Sequence, residues 1–427
     1  MNLLILLTAV LAAGVLAFLP ALRRSRAWTA TVTPLASIMG SGFLVSAPLV
    51  ATVAGVYAPL AMAGLLAVAF GIGGVIRFNI KYAEPLFSSE DDDGEHSNHQ
   101  GHADGTRNDW VRGTPRRVAG WFEQASHIVL AGAYVVSVSY YLQLLSAFVL
   151  DQIGVSGELY QRLATTGVLA LITLIGTAWG LRALEKVETW AVSLNLGTIA
   201  ALLVGLLVHD VQLASAGEMA LPSAPSAADP GHSARVMMGL LIVVQGFETS
   251  RFLGAEHPRE ERVRTMRWAQ LIASAIYLTF VALMLPLLSG EVDAEVTAIV
   301  ALVGPVATIL PMLIVVAAVG SQFSAAVADD AGCSGLVSTI VNGRLSARWV
   351  YGGIGLAAIG LTWLTNVLSI ISVASRAFAL FYALQCGVAF ATALTRRDVR
   401  HRPLWLLGAA LAGSVALGIT LFGIPAE

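Results

Sequence analysis

Apolar stretches close to 20 residues long recur from residue 3 to residue 423, and each can cross the hydrocarbon core of a bilayer as a helix. In lipid every backbone N–H and C=O must be satisfied within the protein, so only helices and closed barrels span it. Apolar runs of this length without strict alternation predict helices. Composition agrees. Of 427 residues, 56% are hydrophobic and 12% charged, about half the charged share of a soluble globular protein. The expected fold is an all-α polytopic membrane protein, one transmembrane domain over residues 1–427. The net charge of −2 points to no partner and gives no sign of nucleic acid. Cys333 and Cys386 give neither a disulfide framework nor metal-ligand spacing.

Hydropathy predicts about twelve spans, at 3–20, 29–54, 58–83, 119–150, 163–181, 187–208, 234–254, 266–288, 297–328, 348–364, 367–394 and 403–423. The first lacks a basic n-region and is followed by LRRSR (22–26), so a retained helix is preferred to a signal peptide. Basic residues set the orientation. Arg23, Arg24, Arg26, Lys81, Arg116, Arg117, Arg259, Arg262, Arg344, Arg348, Arg396 and Arg402 all fall on one set of ends, whereas the loop 209–233 carries no Lys or Arg. The basic side is expected to be cytoplasmic, with both termini extracellular or periplasmic. The loop SSEDDDGEHSNHQGHADGTRNDW (88–110) is polar and expected to be a flexible cytoplasmic segment. His96, His99 and His102 within it leave metal binding open, and a solvated loop is preferred.

Two spans carry weak points. SIMGSGFLVSAP (37–48) places Gly40, Gly42 and Pro48 inside an apolar stretch, and the seventh span places Gln245, Gly246 and Glu248 well inside its own. Glycine is permissive and proline removes a donor, while an ionisable group inside the membrane is a functional candidate. Close helix packing is the plain alternative for the glycines, and helix-packing hydrogen bonds are the plain alternative for Glu248. GSGF (40–43) and QGFE (245–248) lie five spans apart, so a repeat of five helices would run in opposite directions. Interrupted helices at matching places in inverted halves point to a transporter binding site.

At GSGF and at GFETSRFLGAEHPREERVRTMRWA (246–269) the chain resembles the amino acid–polyamine–organocation (APC) superfamily. The resemblance implies a five-plus-five inverted-repeat core, with 29–208 as the first repeat and 234–394 as the second. The helix at 3–20 would be an addition, and 403–423 would be peripheral. It also implies a small organic substrate held at the two breaks, by Gly40, Ser41, Gly42 and Phe43 on one side and by Gln245, Gly246, Phe247 and Glu248 on the other. Half-helix amides suit an anion and exposed carbonyls a cation. Tyr134 on core helix three is a further candidate, with plain packing as its alternative.

In sodium-coupled relatives of this fold, hydroxyls of core helix eight help to hold the ion. Here Ser321 and Ser324 share a helix face, and oxygen ligands suit a hard cation. Ala325 stands where a second adjacent hydroxyl is often found, and core helix five has no internal lysine of the kind some proton-coupled members use. Sodium is preferred to protons as the coupling ion, with no other cofactor. Arg376, about 15 Å into its helix at 1.5 Å per residue, is expected to form a gating pair with Glu248, with Asp329 or Asp330 as second choice. The expected function is ion-coupled transport of an amino acid or amine across the cytoplasmic membrane by alternating access. The alternative is a solute-gated channel or solute sensor on the same fold. No HExxH, GxSxG or GxxxxGK[ST] motif supports an enzyme or a nucleotide-driven pump.

Overall fold

A computed structural model describes residues 1–40, 42–87, 109–179, 182–224, 230–290, 295–341 and 344–426. Every regular element among the described residues is helical. Eight uninterrupted stretches are apolar and long enough to cross a membrane. One of them, Phe43–Phe87, turns at Gly55–Tyr57 and so holds the end of the second expected span and the whole of the third. Adding the 17-residue helix Asn2–Phe18, the interrupted segment at 230–255 and Ala347–Leu364 recovers the twelve spans.

The elements that position the site are α1 (Asn2–Phe18), α2 (Arg26–Gly40), α3 (Phe43–Ala54), α4 (Ala58–Phe78), α5 (Asp109–Gln152), α6 (Glu158–Trp179), α7 (Arg182–Ala216) and α8 (Pro230–Gly239). They continue with α9 (Thr249–Phe252), α10 (Arg259–Met284), α11 (Ala298–Leu302), α12 (Leu310–Ile340), α13 (Ala347–Leu364), α14 (Val367–Thr395) and α15 (Arg402–Phe422). At 44 residues, α5 is about 66 Å long at 1.5 Å per residue, twice the hydrocarbon thickness. It is the post of the bundle: α14, α12, α6 and α13 all pack on it. Its inward residues Leu130, Tyr134, Tyr140, Tyr141, Leu144 and Phe148 are buried.

The first helix is an addition outside this core. One face of α1 seats against α7, where a Cβ on Gly197 would stand 2.7 Å from the Ala13 Cβ and 2.9 Å from the Ala9 carbonyl oxygen. Small residues allow that close approach, the usual device where lipid gives no hydrophobic drive for helix association. Its other face leaves Leu3, Leu7, Val10 and Leu11 exposed for lipid. The last helix, α15, is peripheral as well, packed on α14 and α4.

The ninth span corrects the hydropathy map. The segment expected at 297–328 is instead the short α11, a turn, and then α12 over Leu310–Ile340. Gly304 and Pro305 break the first part, and proline cannot continue a helix from the preceding turn. The true span extends twelve residues further than expected because its inner half carries Asp329, Asp330, Gly332 and Ser334, which depress its hydropathy.

Candidate functional site

Both weak points are breaks. Helix α2 ends at Gly40 and α3 begins at Phe43, with Gly42 between them at φ 155°. Helix α8 ends at Gly239, a 3-10 turn covers Leu241–Val244, Gln245 is extended, and Gly246 takes φ +114° before α9. That φ disfavours any residue with a Cβ. The two breaks also lie against each other. A Cβ on Gly42 would stand 2.8 Å from Val243 Cγ1, and one on Gly246 would stand 2.5 Å from Ser37 Oγ and 2.7 Å from the Ser37 carbonyl carbon.

Interrupting two helices frees backbone groups that lipid cannot satisfy, and neighbouring side chains take them up. The Tyr277 hydroxyl on α10 is 3.1 Å from the Ile38 carbonyl and also meets the Val243 carbonyl, so it joins the broken helices. Ser375 on α14 donates to the Gly239 carbonyl at 2.7 Å and accepts from the Ile242 amide at 2.9 Å. Gln322 Nε2 on α12 donates to the Gly40 carbonyl at 3.1 Å. The Glu248 carboxylate accepts from the Gly246 amide at 3.1 Å and from the Tyr382 hydroxyl at 2.7 Å. Tyr382 stacks on Phe247 with centroids 5.2 Å apart.

Beside the breaks lies a cavity of about 500 Å³. Thr33, Ala36 and Ser37 of α2 face it at helical spacing, opposite a stripe of α12 running through Ser321, Ser324, Ala328, Asp329, Gly332 and Thr339. Asn195 of α7, Tyr134 of α5, and Thr249 and Phe252 of α9 also line it. Among the described residues, the half-helix residues that line it belong to the halves leading to the arginine-rich end. The opposite halves are closed: Phe43 to Val50 and Gly239 to Glu248 are buried without a gap.

The structure sorts the expected site residues. Tyr134, Ser321 and Ser324 line the cavity. Gly40, Gly42, Gln245, Gly246 and Glu248 form the breaks beside it. Phe43 packs on Tyr277 and Phe280, and Phe247 on Tyr382, so both serve as packing side chains. Ser41 lies outside the described residues, as do His96, His99, His102 and most of the expected 88–110 loop. The gating pair is not formed. Arg376 is exposed and donates to the Thr420 carbonyl of α15 at 2.8 Å, on the outer side of α14, while Glu248 is buried against Tyr382. Ser37, Asn195, Thr249 and Asp329 were missed as cavity residues. The small and polar stripe of α12 was readable at i, i+3 and i+7 spacing; the facing of the others was not.

Toward the arginine-rich end, a charged network locks α9 to its neighbours. Arg251 meets Glu123 of α5 at 2.5 Å and bonds Gln385 of α14. Gln385 in turn donates to Glu123 at 3.2 Å and to Ser126 at 2.8 Å. Arg262 of α10 pairs with Glu84 at 2.6 and 3.1 Å and donates to the Arg251 carbonyl at 2.8 Å.

Among known families, a family model described as an APC superfamily transporter matches residues 20–423. An uncharacterized protein of Aquifex aeolicus (strain VF5) is 39% identical over 411 residues, which cover 96% of this chain and 93% of the relative. A crystal structure of a manganese transporter variant from Eremococcus coleocola superposes with a TM-score of 0.51 at 13% identity, over 91% of this chain and 85% of that one. At that identity the likeness concerns the fold. Among the described residues, no three His, Cys, Asp or Glu side chains come together as a metal site.

Proposed function

Because the chain belongs to the APC superfamily of transporters, we propose that it is a secondary transporter carrying a small organic solute, an amino acid or an amine, across the cytoplasmic membrane by alternating access. One observation carries this reading, the one-sidedness of the cavity. It reaches the two breaks from the arginine-rich end, and buried side chains fill the path beyond them. With the basic end cytoplasmic, that geometry is an inward-facing state, and a solute moving outward or inward must pass the same breaks. A channel or sensor on this fold is less well supported, since a conducting path needs access from both ends at once.

Orientation is tested by thiol labelling in a Cys333→Ala, Cys386→Ala background. Ala325→Cys, on the cavity wall, should react with an impermeant reagent from the cytoplasmic face. A cysteine introduced at 209–233 should react from outside, and one at 88–110 should not. The reverse pattern would overturn the topology.

Coupling is proposed to be to sodium, with protons as the alternative. Support comes from Ser321 and Ser324 on the cavity wall of α12, oxygen donors that suit a hard cation. Uptake by proteoliposomes should then need a sodium gradient, and Ser324→Ala should raise the sodium concentration for half-maximal uptake. Equal uptake with choline replacing sodium, driven by a pH gradient, would move the assignment to protons.

A further inference from the structure

We propose that the chain holds one anionic phospholipid, with an acyl chain in an apolar groove between α5, α12 and α13 and its headgroup phosphate between Arg117 and Arg344. The groove has a volume of about 330 Å³. Among the described residues it shares no lining with the cavity beside the breaks. Its floor is buried and consists of Ala131 of α5, Cys333 of α12, and Val350 and Ile354 of α13. The Cys333 thiol donates to the Ala131 carbonyl at 3.3 Å, which holds α12 against α5 along that floor. Its rim is exposed and includes Gly132 of α5 and Gly353 of α13. A Cβ at either glycine would meet nothing within 4 Å, so the missing side chains leave an open slot. Water in an apolar slot lacks the polar partners it needs, and in a bilayer hydrocarbon is the occupant that fits.

Charge at one end of the groove makes the occupant an anionic lipid rather than any hydrocarbon. Leu345, 48% exposed, and Trp349, 77% exposed, line the groove toward the arginine-rich end. Tryptophan is enriched where helices leave the hydrocarbon for the headgroups, so the groove reaches the interface there. Arg344, next to Leu345 between α12 and α13, is exposed. On α5, steps of three or four residues back from Gly132 return to the same face. They reach Ile128, Gln124, Trp121 and Arg117, all exposed. Ile128 and Trp121 continue the apolar track, and Arg117 ends it about 22 Å from Gly132 at 1.5 Å per residue, the depth of one leaflet with its headgroups. Two arginines from separate parts of the chain thus stand at headgroup level, at the end of a track one acyl chain can fill. Guanidinium groups bind phosphate through paired N–H donors, and basic pockets between spanning helices on the cytoplasmic side bind anionic headgroups. A soluble anion would use the arginines without the slot. A zwitterionic lipid would use the slot, but its own ammonium group offsets the gain at the arginines.

The test titrates the purified full-length protein in detergent with phosphatidylglycerol, with phosphatidylcholine of the same chains, and with glycerol 3-phosphate as an anion without a chain. Native mass spectrometry counts the bound lipid, and the melting temperature follows occupancy, because a ligand of the folded state raises it. Phosphatidylglycerol is expected to give one retained lipid and the larger shift, and glycerol 3-phosphate none. Arg117→Gln with Arg344→Gln should weaken phosphatidylglycerol about 25-fold, at about fivefold for each arginine near a membrane surface, and leave phosphatidylcholine as it was. Gly132→Leu with Gly353→Leu fills the slot and should remove the retained lipid, with the lipid-free melting temperature kept because neither Cβ position is crowded. Gly71→Leu, equally uncrowded and outside the groove, should bind as the parent does. Should the glycine pair not fold, the arginine pair decides alone, since both side chains are exposed. The proposal is overturned if the two lipids bind alike, if either double variant retains phosphatidylglycerol unweakened, or if glycerol 3-phosphate gives the same shift, which would make the ligand a free anion.

Discussion

Gly246→Leu is expected to reduce solute uptake to background while the protein still inserts in the membrane, and Gly246→Ala to come close to the same result. The reason lies in two separate constraints at one residue. Its φ of +114° is one that side-chain-bearing residues rarely adopt. A Cβ would also press within 2.7 Å of the Ser37 carbonyl carbon and 2.8 Å of the Ile38 nitrogen. These are backbone atoms of the other broken helix, so no rotamer change relieves the clash. The break can only separate from α2, and the Tyr277 link between the Ile38 and Val243 carbonyls separates with it. Gly42→Leu should behave alike, because its Cβ would meet Val243 at 2.8 Å. Gly71→Ala is the control, since nothing lies within 4 Å of its Cβ position. Uptake by proteoliposomes and gel filtration of the same preparations separate loss of function from loss of fold. Normal uptake by both Gly42→Leu and Gly246→Leu would remove the broken-helix site.

The second large effect is on stability. Glu123→Leu should destabilise the protein by about 3 kcal/mol, because breaking a buried ion pair leaves the other charge uncompensated. The stranded group is Arg251, whose side chain is 6% exposed. Its remaining carboxylate, Glu84, is 3.9 Å away and already holds Arg262 at 2.6 Å. Gln385 would lose an acceptor in the same step. The double change Glu123→Leu with Arg251→Leu should cost less than the sum of the two, since residues in direct contact do not act additively. The exposed pair Arg162–Glu158, with Glu158 58% exposed, is the contrast, and its loss should cost less than about 1 kcal/mol. Unfolding of the purified variants in mixed micelles measures all four. Additive losses at Glu123 and Arg251 would mean that the network does not couple α9 to α5.

What could be read from the sequence depended on whether a feature left a local mark. The breaks did, because glycine, proline and a glutamate are costly inside an apolar run, and both appear at the residues expected. The span count did too, since each run of about 20 apolar residues is its own signal. The polar face of α12 left a periodic mark, and Ser321 and Ser324 were found through it. Arg376 shows the limit. Its depth in the helix was legible, but depth does not give the direction of a side chain around the axis. That direction is set by how α15 packs on α14, which presents the Thr420 carbonyl to it. Asp329, which with Asp330 is only the second choice as partner for that arginine, lines the cavity, and its direction is hidden in the sequence for the same reason. The wall residues Ser37, Asn195 and Thr249 come from three elements distant in sequence, and only their packing brings them to one space. Phe43 and Phe247 were counted with the ligand groups because they adjoin the glycines, whereas aromatic neighbours draw both rings into the core.

The central claim is that one site beside the two breaks is offered to each side of the membrane in turn. Solute counterflow tests it most directly. Proteoliposomes loaded with an excess of the unlabelled solute that stabilises the protein are diluted into a trace of the labelled form, with no ion gradient. Alternating access predicts a transient accumulation of label above its outside concentration, saturating with solute and absent in Gly246→Leu. Flux that rises linearly with concentration and shows no overshoot would mean an open path, and would contradict the account.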